Sequence, residues 1–238
     1  MLYTIRDECE RDLHGTLTRV AELGYDGVEF WHLHGNEPAR VRSWLDELGL
    51  AVAGRHTSLE ELDTRLPQLA EELEALGVSR TALGWIEPSR EAADRVAAAA
   101  DAARAAGLDF GFHNHAAEVQ PLDGGPETFL DLLRGLPAER LWLELDLGWV
   151  WWGGADPVEE LAKTRGRCPL VHVKDFRNRE TREDVPVGDG AVGYERVLPA
   201  AVEAGADWLL VEEDDVDGPP FEAVGRSLAA VRRMLSGR

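Results

Sequence analysis

Apolar and polar positions alternate with a period of two over residues 141–147, where Leu141, Leu143, Leu145 and Leu147 are separated by Trp142, Glu144 and Asp146. That period predicts a strand with one face on a core. The other face carries two carboxylates, and an ionised carboxylate is costly to bury without a partner. Gly148 and the tryptophans Trp149, Trp151 and Trp152 follow, then Gly153-Gly154 and a helix start at Asp156-Pro157. The stretch reads as acidic groups at the mouth of a barrel beside an aromatic wall, a setting suited to a polyhydroxylated ligand.

The rest of the chain repeats strand and helix. Strands are predicted at residues 2–6, 25–30, 50–55, 78–83, 108–113, 141–146, 169–174 and 208–212. Helices are predicted at residues 13–23, 38–48, 59–76, 89–106, 126–136, 157–164, 194–204 and 221–235, with a bend expected at Pro67. Several helices stop at a glycine (Gly24, Gly49, Gly77, Gly107, Gly205), and Ser89 and Asp156 are the expected N-caps. Strict strand–helix alternation implies a parallel sheet, and eight such units close into a single-domain α/β (β/α)8 TIM barrel spanning residues 1–238. The rival is an open doubly wound sheet. It is disfavoured because no glycine-rich phosphate fingerprint follows the first strand. No linker or low-complexity tract interrupts the pattern, although the polar segment 175–193 is longer than most links.

Composition narrows the setting. Two cysteines, Cys9 and Cys168, are too few for a disulfide framework and suggest a reducing compartment. No apolar run approaches the roughly 18 residues needed to span a membrane, and the first residues lack a signal-peptide core. A cytoplasmic location is the expectation. The formal net charge of −20, from 25 Lys+Arg against 45 Asp+Glu, argues against nucleic acid as a partner. It is compatible with metal binding, while a solvated acidic surface accounts for most of these charges.

In a TIM barrel the active site lies at the carboxyl ends of the strands. The predicted ends hold Glu29 with Trp31, His32 and His34; His56; Trp85; and His113, Asn114 and His115 with Glu118 just beyond. They continue with Glu144 and Asp146, then His172, Lys174 and Asp175, then Glu212 and Glu213. Of the 7 histidines, only His14 lies elsewhere. This clustering predicts one divalent ion held by a carboxylate near the fifth strand, Asp146, His172 and Glu212. Oxygen-rich ligation with one imidazole suits Mn²⁺ or Mg²⁺, with Co²⁺ and Zn²⁺ as alternatives. Each residue alone has a plainer reading: a strand-end Asp commonly caps a helix, and a strand-end His is more often hydrogen-bonded structure than ligand. Glu212 also opens an acidic run, residues 212–217.

The blocks GYDGVEFW, GFHNHAAEV, LELDLGWVWWGGADPVE, PLVHVKDF, PVGDG and WLLVEED, with LYTIRDE at the start, extend through nearly the whole chain. Together they resemble the sugar phosphate isomerase/epimerase family, the xylose isomerase-like TIM barrels. The resemblance implies a metal site built from Glu, Asp, His and Glu on the last four strands. Asp146, His172 and Glu212 match three of these positions. The first glutamate would be Glu118 of the HNH-x-x-E block, with His113 or His115 replacing or assisting it, and Glu213 is a register alternative to Glu212.

The implied chemistry is proton transfer next to a carbonyl through an enediolate, with one divalent ion, Mn²⁺ first among the alternatives, as Lewis acid. Glu118 and Glu212 would be both ligands and the acid/base pair. His56, His113 and His115 would bind substrate hydroxyls, and Glu29 would orient a polar neighbour. Lys174 would stabilise charge on a substrate oxygen, although pairing with Asp175 reads equally well. Trp31, Trp149 and Trp152 would stack on a sugar face, with plain rim packing as the alternative for each. The first expectation is an isomerase or epimerase of an unphosphorylated sugar or keto-sugar. The second is a lyase or dehydratase acting on a keto-sugar or 3-keto-glycoside with the same site, and a distant third is a barrel that binds sugar without turnover. The last helix and the 175–193 loop are the surfaces expected to pair two copies of the chain into a homodimer.

Overall fold

In the computed structural model, which describes residues 1–237, seven parallel strands lie side by side in chain order. They are β1 (Gly27–Phe30), β2 (Ala51–Thr57), β3 (Arg80–Leu83), β4 (Asp109–His113), β5 (Trp142–Asp146), β6 (Leu170–Val173) and β9 (Trp208–Val211). The helices α1 (Arg6–Arg11), α2 (Leu13–Leu23), α3 (Pro38–Leu48), α4 (Leu59–Leu76), α5 (Arg90–Ala105) and α6 (Phe129–Arg134) come from the first half. The second half adds α7 (Leu147–Trp152), α8 (Pro157–Lys163), α9 (Tyr194–Ala204) and α10 (Pro220–Ser236). The architecture is a nearly closed α/β TIM barrel.

Among the described residues no eighth strand completes the barrel. Residues 2–6, expected as the first strand, instead form a 3₁₀ turn (Leu2–Ile5) that runs into α1. Leu2, Ile5, Cys9 and Leu13 are all buried, and their spacing of three and four residues is that of one helical face rather than a pleat. The turn sits in the gap between β9 and β1. The Met1 amino group donates to the Val211 carbonyl at 2.8 Å, and the Glu213 N–H donates to Thr4 Oγ1 at 2.9 Å. The bend expected at Pro67 falls at Arg65, which leaves helical geometry at φ −144°, ψ 30°.

Period two sorts each strand's side chains. Leu143, Leu145, Val171 and Val173 point outward into the layer shared with the helices, where Leu69, Leu73, Val96 and Val197 meet them. The inward positions stack in tiers. The lowest is apolar: Ala53, Ala82, Trp142, Leu170 and Leu210. Gly111, paired with Trp142 across β4 and β5, makes room for that indole, since a Cβ there would overlap the ring. Above this floor come Glu29, His56, His113, Glu144 and His172, and Asp146, Lys174 and Glu212 form the mouth.

The long segment 175–193 is ordered by one carboxylate. Asp175 opens the short hairpin β7 (Asp175–Phe176) and β8 (Asp184–Val185). Its oxygens accept from the N–H groups of Gly188, Gly190 and Val192 at 2.9, 3.1 and 3.2 Å.

Candidate functional site

The strand ends open into a cleft of about 830 Å³ bordered by Trp31, His56, Trp85, His113, Trp149 and Glu212 among others. At its base His113, Asp146, His172 and Glu212 present donor atoms that lie within 4.8 Å of one another. Local chemistry fixes each one. Asp146 caps α7, with Oδ1 accepting from the Trp149 N–H at 2.8 Å, so its second oxygen is aimed inward. That Oδ2 is buried and accepts no hydrogen bond, its nearest charge being Lys174 Nζ at 3.3 Å. His172 is clamped on both sides, Nδ1 2.8 Å from Glu212 Oε2 and Nε2 2.8 Å from Glu29 Oε2. Two carboxylates and two imidazoles, one of their buried oxygens without a hydrogen bond, are a donor set that fits a divalent ion.

Lys174 is the cation already present. Its fully buried Nζ lies 2.7 Å from Asp214 Oδ1, 3.2 Å from Glu212 Oε2 and 3.3 Å from Asp146 Oδ2. Burial alone would depress this amine, but Glu212, Asp146 and Asp214 outweigh it and hold the ammonium charged. Burial works against Glu212 as well, yet Lys174 and His172 keep its carboxyl well below the usual range. For Asp146 burial wins and lifts the carboxyl to about 7 despite Lys174. Burial and the neighbouring imidazolium charge of His172 push His113 well down, so it is neutral and able to ligate. Burial and Lys174 bring His115 down to about 4.

The tier below is equally charged. Glu144 Oε2 meets His56 Nε2 at 2.6 Å and His113 Nδ1 at 3.3 Å, and Oε1 meets His172 Nε2 at 3.6 Å. Burial disfavours the charged imidazoles here, but Glu144 and the other carboxylates raise both His56 and His172. Glu29 is raised by burial and by Glu144, and it sits on this tier out of reach of the cleft.

The remaining expected residues divide. His56, His113, His115, Lys174 and Trp149 all border the cleft. Trp31, 38% exposed, and Trp85, 64% exposed, stand at its rim. Trp152 packs on Phe176, ring centroids 5.2 Å apart, and does not line the cleft. Glu118 lies in a 3₁₀ turn, Ala117–Val119, with its carboxylate turned back to accept from the His115 N–H at 3.0 Å. It is outside the donor group, where His113 stands instead. Glu213 faces away from the barrel and accepts from Ser227 Oγ at 3.3 Å, so the register that places Glu212 inside holds. Lys174 pairs with Asp214 rather than Asp175, because alternation turns adjacent side chains to opposite faces. Asp214 was legible only as part of an acidic run. Glu144, conspicuous as a carboxylate on a core strand, belongs to the inner tier.

Known proteins carry related chains. An inosose dehydratase of Geobacillus kaustophilus is 25% identical over 247 residues, covering 83% of this chain and 79% of that protein. A sugar phosphate isomerase/epimerase from Parabacteroides distasonis superposes with a TM-score of 0.80 at 22% identity, over 96% of this chain and 90% of its own. A D-allulose 3-epimerase from Methylomonas sp. superposes at 0.70 with 17% identity, over 94% and 92%. At these identities the two structures speak for the fold. With residues 17–234 matched by its family model, the chain belongs to the xylose isomerase-like TIM barrel family.

Proposed function

We propose that this protein removes the proton beside the carbonyl of a sugar-like ketone and passes through an enediolate, with one divalent ion at the mouth of the barrel. The observation that carries this reading is the group His113, Asp146, His172 and Glu212, with Asp146 Oδ2 buried and accepting no hydrogen bond. When bound, the ion would polarise the carbonyl as a Lewis acid. Mn²⁺ remains the first candidate, since half of the donor set is carboxylate. Glu212, ionised and lining the cleft, is the base for the proton beside the carbonyl. Lys174 faces the developing oxyanion as a fixed positive charge. His56 and His115 border the cleft as partners for hydroxyls, and Trp149 offers an apolar face.

An unphosphorylated substrate is supported by the pairing of the basic side chains in the cleft. Arg55 is tied to Glu61 and Glu72, Lys174 to Asp214, and Arg182 to Asp215. None is left over for a phosphate dianion.

Two outcomes lead from an enediolate. Isomerisation or epimerisation returns a proton to carbon, and inversion requires a second acid on the opposite face. β-Elimination needs one base and a departing group. Of the expected glutamate pair only Glu212 borders the cleft, and Glu118 is turned away. That placement favours elimination, a lyase reaction, and the related dehydratase is consistent with it. His115, neutral and at the cleft wall, is the group that would replace Glu118 if the enzyme epimerises.

The deciding experiment is incubation with Mn²⁺ and a panel of ketoses and keto-polyols in deuterated water. Exchange at the carbon beside the carbonyl supports the reading. Loss of water or alcohol marks the lyase, and an isomeric ketose or aldose marks the isomerase. No exchange with any member, in a protein that binds Mn²⁺, removes the catalytic claim.

A further inference from the structure

The mouth group leaves a second convergence of donors unexplained. On the tier below, His56 from β2, His113 from β4 and His172 from β6 turn their rings toward Glu144 of β5. Their ring centroids are 4.9 Å (His56–His113), 4.6 Å (His113–His172) and 5.5 Å (His56–His172) apart. One donor atom from each of these four residues lies within 4.8 Å of the others. Glu144 Oε1 and the adjacent Glu29 Oε1 are buried with no hydrogen-bond partner, and His113 Nδ1 faces Glu144 Oε2 at 3.3 Å. A hydrogen-bonded cluster alone gives no reason for two such orphaned oxygens at one point.

We propose that His56, His113, His172 and Glu144 form a second divalent transition-metal site on the barrel floor. In a tetrahedral site with bonds of about 2.0–2.1 Å, neighbouring donors are roughly 3.3 Å apart. The carboxylate-to-imidazole separations around Glu144, 2.6, 3.3 and 3.6 Å, bracket that edge. Three imidazoles and one carboxylate select Zn²⁺ or Co²⁺ over Mg²⁺ and Mn²⁺, which prefer oxygen. Charge also balances when this site alone is filled: the imidazoles are then neutral, and Glu29 and Glu144 together carry the two negative charges that a divalent ion cancels.

The two sites share side chains but not every atom. His172 offers Nδ1 beside Glu212 toward the mouth and Nε2 beside Glu29 and Glu144 toward the floor. When both ions are bound its ring would bridge them as an imidazolate, its N–H proton released to solvent. An entry route exists, since His56 and His113 border the cleft. His56 and Glu144 belong to the floor set alone, and Asp146 and Glu212 to the mouth set alone. The floor site does not depend on the enolisation proposed above.

The test is titration of the chelator-treated full chain with Co²⁺ alone, read by calorimetry and by visible absorption. The expected result is two equivalents, one of them giving the intense bands of a tetrahedral, nitrogen-rich site. His56→Ala should lose that equivalent and its bands while keeping the other. Glu144→Gln, nearly isosteric, should weaken it at least tenfold and serves if His56→Ala does not fold. Asp146→Asn should remove only the mouth equivalent. Wild-type stoichiometry and spectrum in both His56→Ala and Glu144→Gln would overturn the proposal. So would a single wild-type equivalent that Asp146→Asn abolishes, or no binding at all. A single equivalent lost in His56→Ala and kept in Asp146→Asn would retain the floor site and overturn the mouth site instead.

Discussion

Lys174 Nζ lies 2.7 Å from Asp214 Oδ1, and this pairing holds an ammonium within 3.3 Å of both mouth carboxylates, Asp146 and Glu212. The lysine therefore occupies the electrostatic position of a partial counter-ion for the donor group. Any divalent ion entering between Asp146 and Glu212 does so against that charge.

Replacing the ammonium by an isosteric apolar chain separates the lysine's two effects. Lys174→Met should bind Mn²⁺ about tenfold more tightly, roughly 1.4 kcal/mol, because a repelling charge is removed. The same variant should lose most of its exchange activity, since the other basic side chains of the cleft wall, Arg55 and Arg182, are tied to Glu61, Glu72 and Asp215. Calorimetric titration beside deuterium exchange reads both. Weaker Mn²⁺ binding would mean that Lys174 supports the donors rather than competing with an ion.

Asp146 has a structural task and a proposed chemical one, and they use different oxygens. Oδ1 caps α7 through the Trp149 N–H, while Oδ2 accepts no hydrogen bond and faces Lys174 Nζ at 3.3 Å. Asparagine keeps a cap acceptor at that position. Asp146→Asn should thus retain its melting temperature within a few degrees but bind Mn²⁺ at least a hundredfold more weakly. Equal affinity in wild type and variant, by elemental analysis and titration, would remove Asp146 from the ligand set.

Glu118 can be tested through pH. Burial lifts its carboxyl from 4.5 to about 7. Between those values the folded protein retains a proton that the unfolded chain has released, so this group's contribution to stability falls as pH rises through the window. Glutamine cannot ionise and still accepts from the His115 N–H. Melting curves of Glu118→Gln should match wild type near pH 4.5 and lie above it at pH 8. Mn²⁺ affinity should be unchanged. A variant that loses the ion would restore Glu118 as a ligand and, with it, the two-glutamate epimerase pair.

The outcome at Glu118 also shows what the sequence carried. Strand positions, helix stops and the inward residues Asp146, His172 and Glu212 were legible because period two and terminal glycines are local signals. The 3₁₀ turn at Leu2–Ile5 was misread as a strand, although Leu2, Ile5 and Cys9 already had helical spacing. A short apolar run supports either period, and the gap between β9 and β1 that the turn fills is a tertiary feature. The direction of Glu118 depends on how a loop turns after β4, which no spacing encodes. The inner tier was hidden for a related reason. Glu29, His56, His113, Glu144 and His172 are far apart in sequence, and only barrel closure and strand stagger bring them to one height.

Gly148 sets two local preferences against each other. It is the second residue of α7, where alanine would ordinarily gain up to about 1 kcal/mol in helix propensity. A Cβ at this position, however, would overlap the Lys174 carbonyl oxygen. Backbone cannot move aside as a flexible side chain can, and overpacking of this kind costs about 1–3 kcal/mol. The steric term wins, so Gly148→Ala should lower the melting temperature by about 5 °C at 2–4 °C per kcal/mol for a domain of this size. It should lower exchange activity further than stability, because the strain falls between Asp146 and Lys174. Gly225→Ala in α10 is the control: its added Cβ meets only the methyl end of Leu23 at 3.3 Å, and its melting temperature should stay level or rise. Equal behaviour of the two variants in thermal melts would show that α7 is free to shift away from β6, and that the close packing of Gly148 on Lys174 does not position the mouth of the barrel.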